Sequence, residues 1–278
     1  MIIDGRKIAS EIFTEIKSEV AHLPFIPVFC DILVGSNRIS AQYVSLKANK
    51  ALSCGIKFLR AEFNENIKTA ELILEIKKLN TTPDMCGLIT QLPLPSSIDR
   101  TLVLDAIDPA IDVDCIGQKR NSEFYQGNLE LVPPTASAVM QILDSLKIDL
   151  KEKNILVIGQ GELVGKPVSF LLNQTRGLKV STADKFTSNT NELISQADIV
   201  ISGVGKPKLL TRDNIKPGSI IIDAGASEDS GEIVGDVDFE SVKNIASQVS
   251  PVPGGVGPVT VAMLLLNVLK VAKKRLLG

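Results

Sequence analysis

"NILVIGQGELVGKPVSFLL", Asn154 to Leu172, is the stretch on which the fold turns. A short run of aliphatic and β-branched residues meets Gly159, Gly161 and Gly165 in a GxGxxxG pattern, and an apolar segment of helical length follows. Glycines are needed at such a strand-to-helix turn because a Cβ would keep a pyrophosphate away from the backbone N–H groups at the helix start. A lone GxG is weak evidence, and its context strengthens it. The next strand, "LKVSTA", ends in Asp184, 19 residues after Gly165, where a carboxylate can accept from the ribose hydroxyls of an adenosine. The other reading of these residues is a tight turn with Asp184 solvated in a loop.

Working outward, "DIVISGVG" and "SIIIDAG" are further short strands separated by segments of helical length, which predicts a Rossmann-like sheet. Upstream, "FIPVFCDILVG", "KFLRAEF" and "MCGLITQLPLP" read as strands. Between them a helix is predicted over 40–54, with Ser40 as N-cap and Gly55 as stop, and another in "TAELILEIKKL". "VPPTASAVMQILDSL" sets two prolines before a helix expected to be capped by Thr135. The fold class expected is α/β with two domains, an αβα substrate domain and a Rossmann-like dinucleotide-binding domain, with a cleft between them. A chain of 278 residues suits two domains of about 150 each.

Composition excludes several function classes. An apolar fraction of 44% with 22% charged residues is that of a globular protein. The 30 basic and 32 acidic residues form no basic block, which argues against a nucleic-acid groove and for a small-molecule partner. "MIIDGRKIAS" lacks the cationic and apolar regions of a secretory signal, so a cytoplasmic location is expected. Cys30, Cys54, Cys86 and Cys115 are scattered singly and read as reduced, buried thiols. "VTVAMLLLNVLKVA", broken by Thr260, Asn267 and Lys270, reads as a buried helix and not a membrane anchor.

Four further features bear on chemistry. Tyr43 and Lys47 stand four apart on a predicted helix and share a face. Gln91 ends the strand of "GLITQLPLP", where ligand-binding side chains of α/β sheets collect. Asp112 and Asp114 lie two apart in a β-favouring segment, so at most one need face a given site, and no third ligand makes them a metal site. "SPVPGGVGPVT" exposes backbone at Gly254, Gly255 and Gly257 with Pro258 suited to open a helix, and reads equally as a ligand-lining loop or a rigid turn. The only histidine, His22, has no triad partners in view.

"YVSLK", "GLITQLPLP", "DVD", "GxGxxVGKP", "IVGDVDF" and "PVPGGVGPVT" occur in an order that resembles the bifunctional methylenetetrahydrofolate dehydrogenase/cyclohydrolases of the FolD type, across nearly the whole chain. The resemblance implies a folate-binding catalytic domain over 1–135 and 258–278, an NAD(P)-binding domain over 136–257, a homodimer and a tetrahydrofolate substrate. It implies oxidation of 5,10-methylenetetrahydrofolate to the 5,10-methenyl form and hydrolysis of that to 10-formyltetrahydrofolate. By motif, Lys47 matches the catalytic lysine, Tyr43 the tyrosine stacked on the pterin, Gln91 the glutamine beside the lysine and Asp114 the pterin-binding aspartate. Gly255, Gly257 and Pro258 fall on the substrate side, and Gly159, Gln160, Gly161, Val164, Gly165, Asp184 and Lys185 on the cofactor side.

Hydrolysis of a methenyl cation needs water deprotonated as it attacks, a task for a neutral lysine. Bringing a lysine from about 10.4 to roughly 7 to 8 takes on the order of 4 kcal/mol, which a neighbouring carboxylate opposes. Asp114 is therefore expected to serve the pterin and not to pair with Lys47. The chain departs from the family at four places. Gln160-Gly161 stands where many relatives have Arg-Ser, Asp184-Lys185 where they have His-Ser, "PPTA" (Pro133 to Ala136) where they have Pro-Cys-Thr-Pro, and "DVDC" for Asp-Val-Asp-Gly. The first two disfavour a 2′-phosphate, so NAD is favoured over NADP, with Lys185 a partial offset. No metal is called for. The alternatives are a single-activity or non-catalytic folate-binding relative, or another Rossmann oxidoreductase with a lysine-centred site.

Overall fold

The computed structural model describes residues 1–229 and 231–277. They divide into two compact units, Glu11–Pro134 with Val261–Gly278, and Met1–Ser10 with Thr135–Thr260.

The first unit contains most of α1 (Gly5–Val20), then β1 (Val28–Val34), α2 (Arg38–Ser53), β2 (Lys57–Phe63), α3 (Thr69–Asn80), β3 (Met85–Thr90), α4 (Arg100–Asp105) and α5 (Gln118–Tyr125). The strands form a parallel sheet in the order β2-β1-β3. Every residue of β1 and β3 is buried, as largely apolar runs require of strands covered on both faces, with Asp31 the single acid among them, while β2 is partly exposed along the edge. The chain passes from β1 to β2 on one side and returns to β3 on the other, which creates a topological switch point at the carboxyl ends of β1 and β3. Gln91 lies there, its N–H bonded to the Ile32 carbonyl at 2.8 Å.

Three local expectations are corrected. α2 begins at Arg38, and its cap is Asn37, whose side chain accepts from the Ser40 N–H at 2.9 Å. Ser40 is thus a buried helical residue. Asp112 to Asp114 is not extended; a single bridge joins Asp112 to Leu88 and the chain then turns, with Cys115 at φ 59°. Asp112 stabilises that turn by accepting from the N–H groups of Cys115 and Gly117, each at 2.9 Å. The third correction concerns α6 (Pro134–Ser145), which starts one residue before Thr135, since a proline at the first helical position gives up no needed N–H.

The second unit continues with β4 (Ile155–Ile158), α7 (Gly165–Phe170), a π-helical extension of α7 over Leu171–Thr175, β5 (Val180–Ala183), α8 (Thr190–Gln196), β6 (Ile199–Ser202) and β7 (Ile220–Asp223). A small antiparallel pair, β8 (Ser227–Asp229) and β9 (Glu232–Val234), precedes α9 (Phe239–Val242) and β10 (Gln248–Val249). The main sheet is parallel, in the order β10-β7-β6-β4-β5, with Leu156, Val200, Ile221 and Val249 in its core. Residues 1–10 cluster with this unit and not with the first, because the Met1 ammonium bonds the Ser247 carbonyl at 2.6 Å and the Ile3 N–H bonds that of Val249 at 2.9 Å. α10 (Val256–Lys274) is long and apolar enough to cross a membrane by length and composition alone, yet 61% of that stretch is buried within the fold. Its Asn267 is buried and donates to the carbonyls of Val113 and Val132, each at 2.9 Å, which anchors the Asp112–Asp114 turn.

Candidate active site

In the first unit α2 delivers Lys47 beside the carboxyl end of the sheet. Lys47 is only 7% exposed, and its Nζ donates to Gln91 Oε1 at 2.7 Å. Gln91 Nε2 donates in turn to the Leu92 carbonyl at 2.7 Å, so the amide presents its oxygen to the amine. Tyr43 sits one turn earlier on α2, half-buried, and burial pushes its phenol up. Asp114 is half-buried, and burial pushes its carboxyl up to about 6, with the charges of Asp112 and Asp31 adding and that of Lys47 opposing. Among the described residues no ion pair joins Lys47 to Asp114.

Lys47 does have a carboxylate partner that the motifs did not indicate. Asp31 of β1 is fully buried, and its Oδ2 lies 2.6 Å from Lys47 Nζ. The contact is an ion pair, and among the described residues neither carboxyl oxygen of Asp31 has a hydrogen-bonding partner. The available signal was the lone acid in "VFCDILV", an ionisable group within a strand that is otherwise apolar and buried.

In the second unit the glycine loop follows β4 at the switch point between β4 and β6. Gly159 has φ 86°, and a Cβ there would come within 2.7 Å of the Gly203 carbonyl oxygen. A Cβ on Gly165 would come within 1.6 Å of the Gly159 oxygen, so both glycines are required for packing. Gly161 differs, because its missing Cβ faces open space. Val164 packs on Gly203, where a Cβ would meet its Cγ1 at 2.6 Å. Gln160 makes only long contacts, its Nε2 reaching the Gly159 carbonyl at 3.4 Å. A loop whose one sterically unneeded glycine opens outward at the carboxyl end of a parallel sheet fits a dinucleotide pyrophosphate.

After β5, Asp184 is exposed and folded into its own turn, with Oδ1 accepting from the Phe186 N–H at 2.9 Å and from the Thr187 hydroxyl at 3.1 Å. Lys185 Nζ lies 5.0 Å from the Phe186 ring centre. Gly255, Gly257 and Pro258 belong to this same unit, and are not brought together with Lys47 inside one compact unit. Gly255 is buried against Pro251, whereas Gly257 faces open space. The motif "IVGDVDF" proves structural in part: Asp236 is fully buried and accepts from the Ser202 hydroxyl and the N–H groups of Val204 and Lys206 at 2.6 to 2.8 Å.

A Rossmann sheet with an open glycine loop, and a second parallel sheet carrying a buried lysine, define a nucleotide-dependent dehydrogenase with a separate substrate unit. Residues 3–114 match the catalytic-domain model of tetrahydrofolate dehydrogenase/cyclohydrolase, and residues 133–276 match the NAD(P)-binding domain of the same family. The bifunctional protein FolD of Hydrogenobaculum sp. is 41% identical over 277 residues, which cover 99% of each chain. The crystal structure of FolD from Campylobacter jejuni superposes with a TM-score of 0.91 at 38% identity, covering 99% of each chain. That of the Trypanosoma brucei enzyme, complexed with NADP and an inhibitor, gives 0.94 at 33% identity over 100% of this chain and 99% of that one. The chain belongs to the tetrahydrofolate dehydrogenase/cyclohydrolase family, and with both family domains present it is a bifunctional dehydrogenase and cyclohydrolase of one-carbon folate metabolism.

Proposed function

We propose that the hydrolytic half of the reaction is centred on Lys47. The supporting observation is the bond from its Nζ to Gln91 Oε1, within reach of the field of Asp114 and one helical turn from Tyr43. In this reading Tyr43 stacks on the pterin, and Asp114 accepts hydrogen bonds from the pterin when ionised. Gln91 orients the amine without titrating. Lys47 takes the proton from water as its oxygen bonds the methenyl carbon, and returns a proton to the departing nitrogen. The oxidative half asks the protein for alignment, since a nitrogen lone pair on the substrate drives hydride loss. Gly255, Gly257 and Pro258 contribute backbone on the substrate side, Gly257 being the one with open space before it.

NAD(P), when bound, supplies the hydride acceptor. Gly159, Gly161 and Gly165 admit its pyrophosphate, Val164 and Gln160 flank it, and Asp184 accepts from the adenosine ribose. Asp184 together with a glutamine at 160 favours NAD over NADP, with Lys185 opposing. A folate-binding domain over 1–135 and 258–278, a nucleotide-binding domain over 136–257, a homodimer and a cytoplasmic setting belong to the same proposal. The setting accords with four cysteines that are all buried free thiols.

The test is oxidation of 5,10-methylenetetrahydrofolate by the purified protein with NAD and NADP in parallel, following reduced cofactor and methenyl product separately. Turnover with NAD exceeding that with NADP supports the whole reading. An NADP preference assigns the 2′-phosphate to Lys185, and a Lys47→Met variant that still hydrolyses the methenyl product removes Lys47 from its role.

A further inference from the structure

Asp31 occupies a position that hydrophobic logic would give to valine or isoleucine. It stands in the middle of the central strand β1, with Arg60 of β2 and Ile89 of β3 as its register neighbours. All seven residues of that strand are buried. Among the described residues no backbone N–H or hydroxyl compensates its carboxyl, and its one close partner there is Lys47 Nζ at 2.6 Å. A buried ion pair without further hydrogen bonds gains little stability over an apolar pair of the same shape, so fold stability is a weak reason for a charge at this place.

We propose that Asp31 is a positioning residue that ties up the amine of Lys47 and thereby tilts this bifunctional enzyme toward oxidation and away from hydrolysis at neutral pH. The inference rests on Lys47 being the base of the hydrolytic step. At 2.6 Å the Asp31 carboxylate holds Lys47 Nζ as the cationic half of a buried ion pair. In that pair the nitrogen lone pair is engaged as an N–H bond. It becomes free to take a proton from water only when that proton leaves, and a negative charge at contact distance favours the charged amine over the neutral one. Oxidation needs no such base, so the pair restrains one activity more than the other.

The other groups near the pair do not reproduce this effect. Gln91, after β3, is neutral and accepts from Nζ. Asp114 makes no ion pair with Lys47, although the two feel each other's charge. Arg60 on β2 acts on Asp31 at longer range, pulling its carboxyl down against the larger upward push of burial. Cys30 beside Asp31 is pushed up to about 12, first by burial and then by the Asp31 charge, and stays a neutral thiol. Tyr43 on α2 is likewise pushed up by burial and stays a neutral phenol.

The experiment measures methenyltetrahydrofolate hydrolysis and methylenetetrahydrofolate oxidation between pH 5.5 and 9 in the wild type and in Asp31→Val, Asp31→Asn, Lys47→Met and Asp31→Val/Lys47→Met variants, after subtraction of uncatalysed hydrolysis. The expected result is a gain in the Asp31 variants. The ratio of hydrolysis to oxidation at pH 7 rises about tenfold, and the midpoint of the hydrolysis profile moves about one unit toward acid. A variant that has merely lost packing cannot gain an activity, and the double variant is expected to be as slow as Lys47→Met. Should Asp31→Val fold poorly, Asp31→Asn keeps the shape and decides alone. Hydrolysis that falls, or keeps its ratio and midpoint, overturns the proposal while leaving Lys47 as base. Hydrolysis that survives in Lys47→Met overturns the assignment of Lys47 first, and the inference with it.

Discussion

Lys47 Nζ and Gln91 Oε1 are held 2.7 Å apart, and the amide that makes this contact is itself fixed by donating from Nε2 to the Leu92 carbonyl at 2.7 Å. The side chain therefore cannot flip its NH2 toward the amine without losing both bonds. Glu fits the same space but brings a second carboxylate to a lysine already beside Asp31, which favours the protonated amine. Gln91→Glu is expected to slow methenyltetrahydrofolate hydrolysis at pH 7 by about tenfold or more and to move its rise toward alkali by about one unit. Steady-state hydrolysis across pH checks it, and a variant as fast as the wild type at pH 7 would show that Gln91 does not control the lysine.

Asp114 gives a prediction at the acid end. Its carboxyl titrates at about 6, because burial outweighs the pull of Lys47. Below that value the folate-binding form is lost, so KM for methylenetetrahydrofolate is expected to rise about fivefold as pH falls from 6 to 5. Asp114→Asn is expected to bind weakly throughout with no break near pH 6. Stability runs the opposite way, because the folded value lies above the ordinary 3.8 of a free aspartate. The stabilising contribution of the protonated group is complete below 3.8 and disappears as pH rises through about 6. Asp223, also pushed up to about 6 mainly by burial, has the same sign. The melting temperature of the ligand-free protein is thus expected to fall between pH 5 and 7, and Asp114→Asn is expected to flatten that fall.

The two sheets were legible in the sequence because their central strands are predominantly apolar runs separated by helical patterns. β2 coincides with "KFLRAEF" in full. Helix starts were less legible. Asn37 and Ser40 are both good caps, and only the bond from the Ser40 N–H to the Asn37 side chain separates them. Tyr43 and Lys47 could be paired because they lie on one helix, where spacing alone fixes the face. Asp31 could not be joined to Lys47 in that way. Their meeting depends on how α2 packs back on β1, which no local pattern encodes. Within "DVD" the sequence left open which acid serves the fold, and it is Asp112 that accepts the backbone bonds of the turn.

The three glycines of the phosphate loop separate structural need from ligand need. Gly165→Ala would place a Cβ 1.6 Å from the Gly159 carbonyl oxygen, an overlap that forces the backbone apart and is expected to cost about 1–3 kcal/mol or more of unfolding free energy. Gly161→Ala meets nothing within 4 Å. Its stability is expected to stay within about 0.5 kcal/mol of wild type, as for an unconstrained surface change. Its KM for the dinucleotide is nonetheless expected to rise, because the new Cβ stands where the pyrophosphate must approach. Chemical denaturation alongside cofactor titration checks both. If Gly161→Ala binds cofactor normally, the pyrophosphate does not lie against this residue.

Cofactor choice depends on Asp184, whose Oδ1 already accepts from the Phe186 N–H and the Thr187 hydroxyl. These bonds hold the carboxylate in the turn after β5 and still leave it acceptor capacity, since an ionised carboxylate offers about four lone-pair sites. Ribose hydroxyls can donate to it, whereas a 2′-phosphate can only repel it. At about 4 Å that repulsion is worth about 1 to 4 kcal/mol, depending on how much water screens it. Asp184→Ser is therefore expected to raise the NADP to NAD ratio of kcat/KM by about tenfold, and adding Gln160→Arg, a fork that grips phosphate through two N–H groups, to raise it further. Lys185 is the competing influence, with its ammonium 5.0 Å from the Phe186 ring centre in the same turn. If the wild type prefers NADP and Lys185→Ala abolishes that preference, the lysine governs the choice and Asp184 does not.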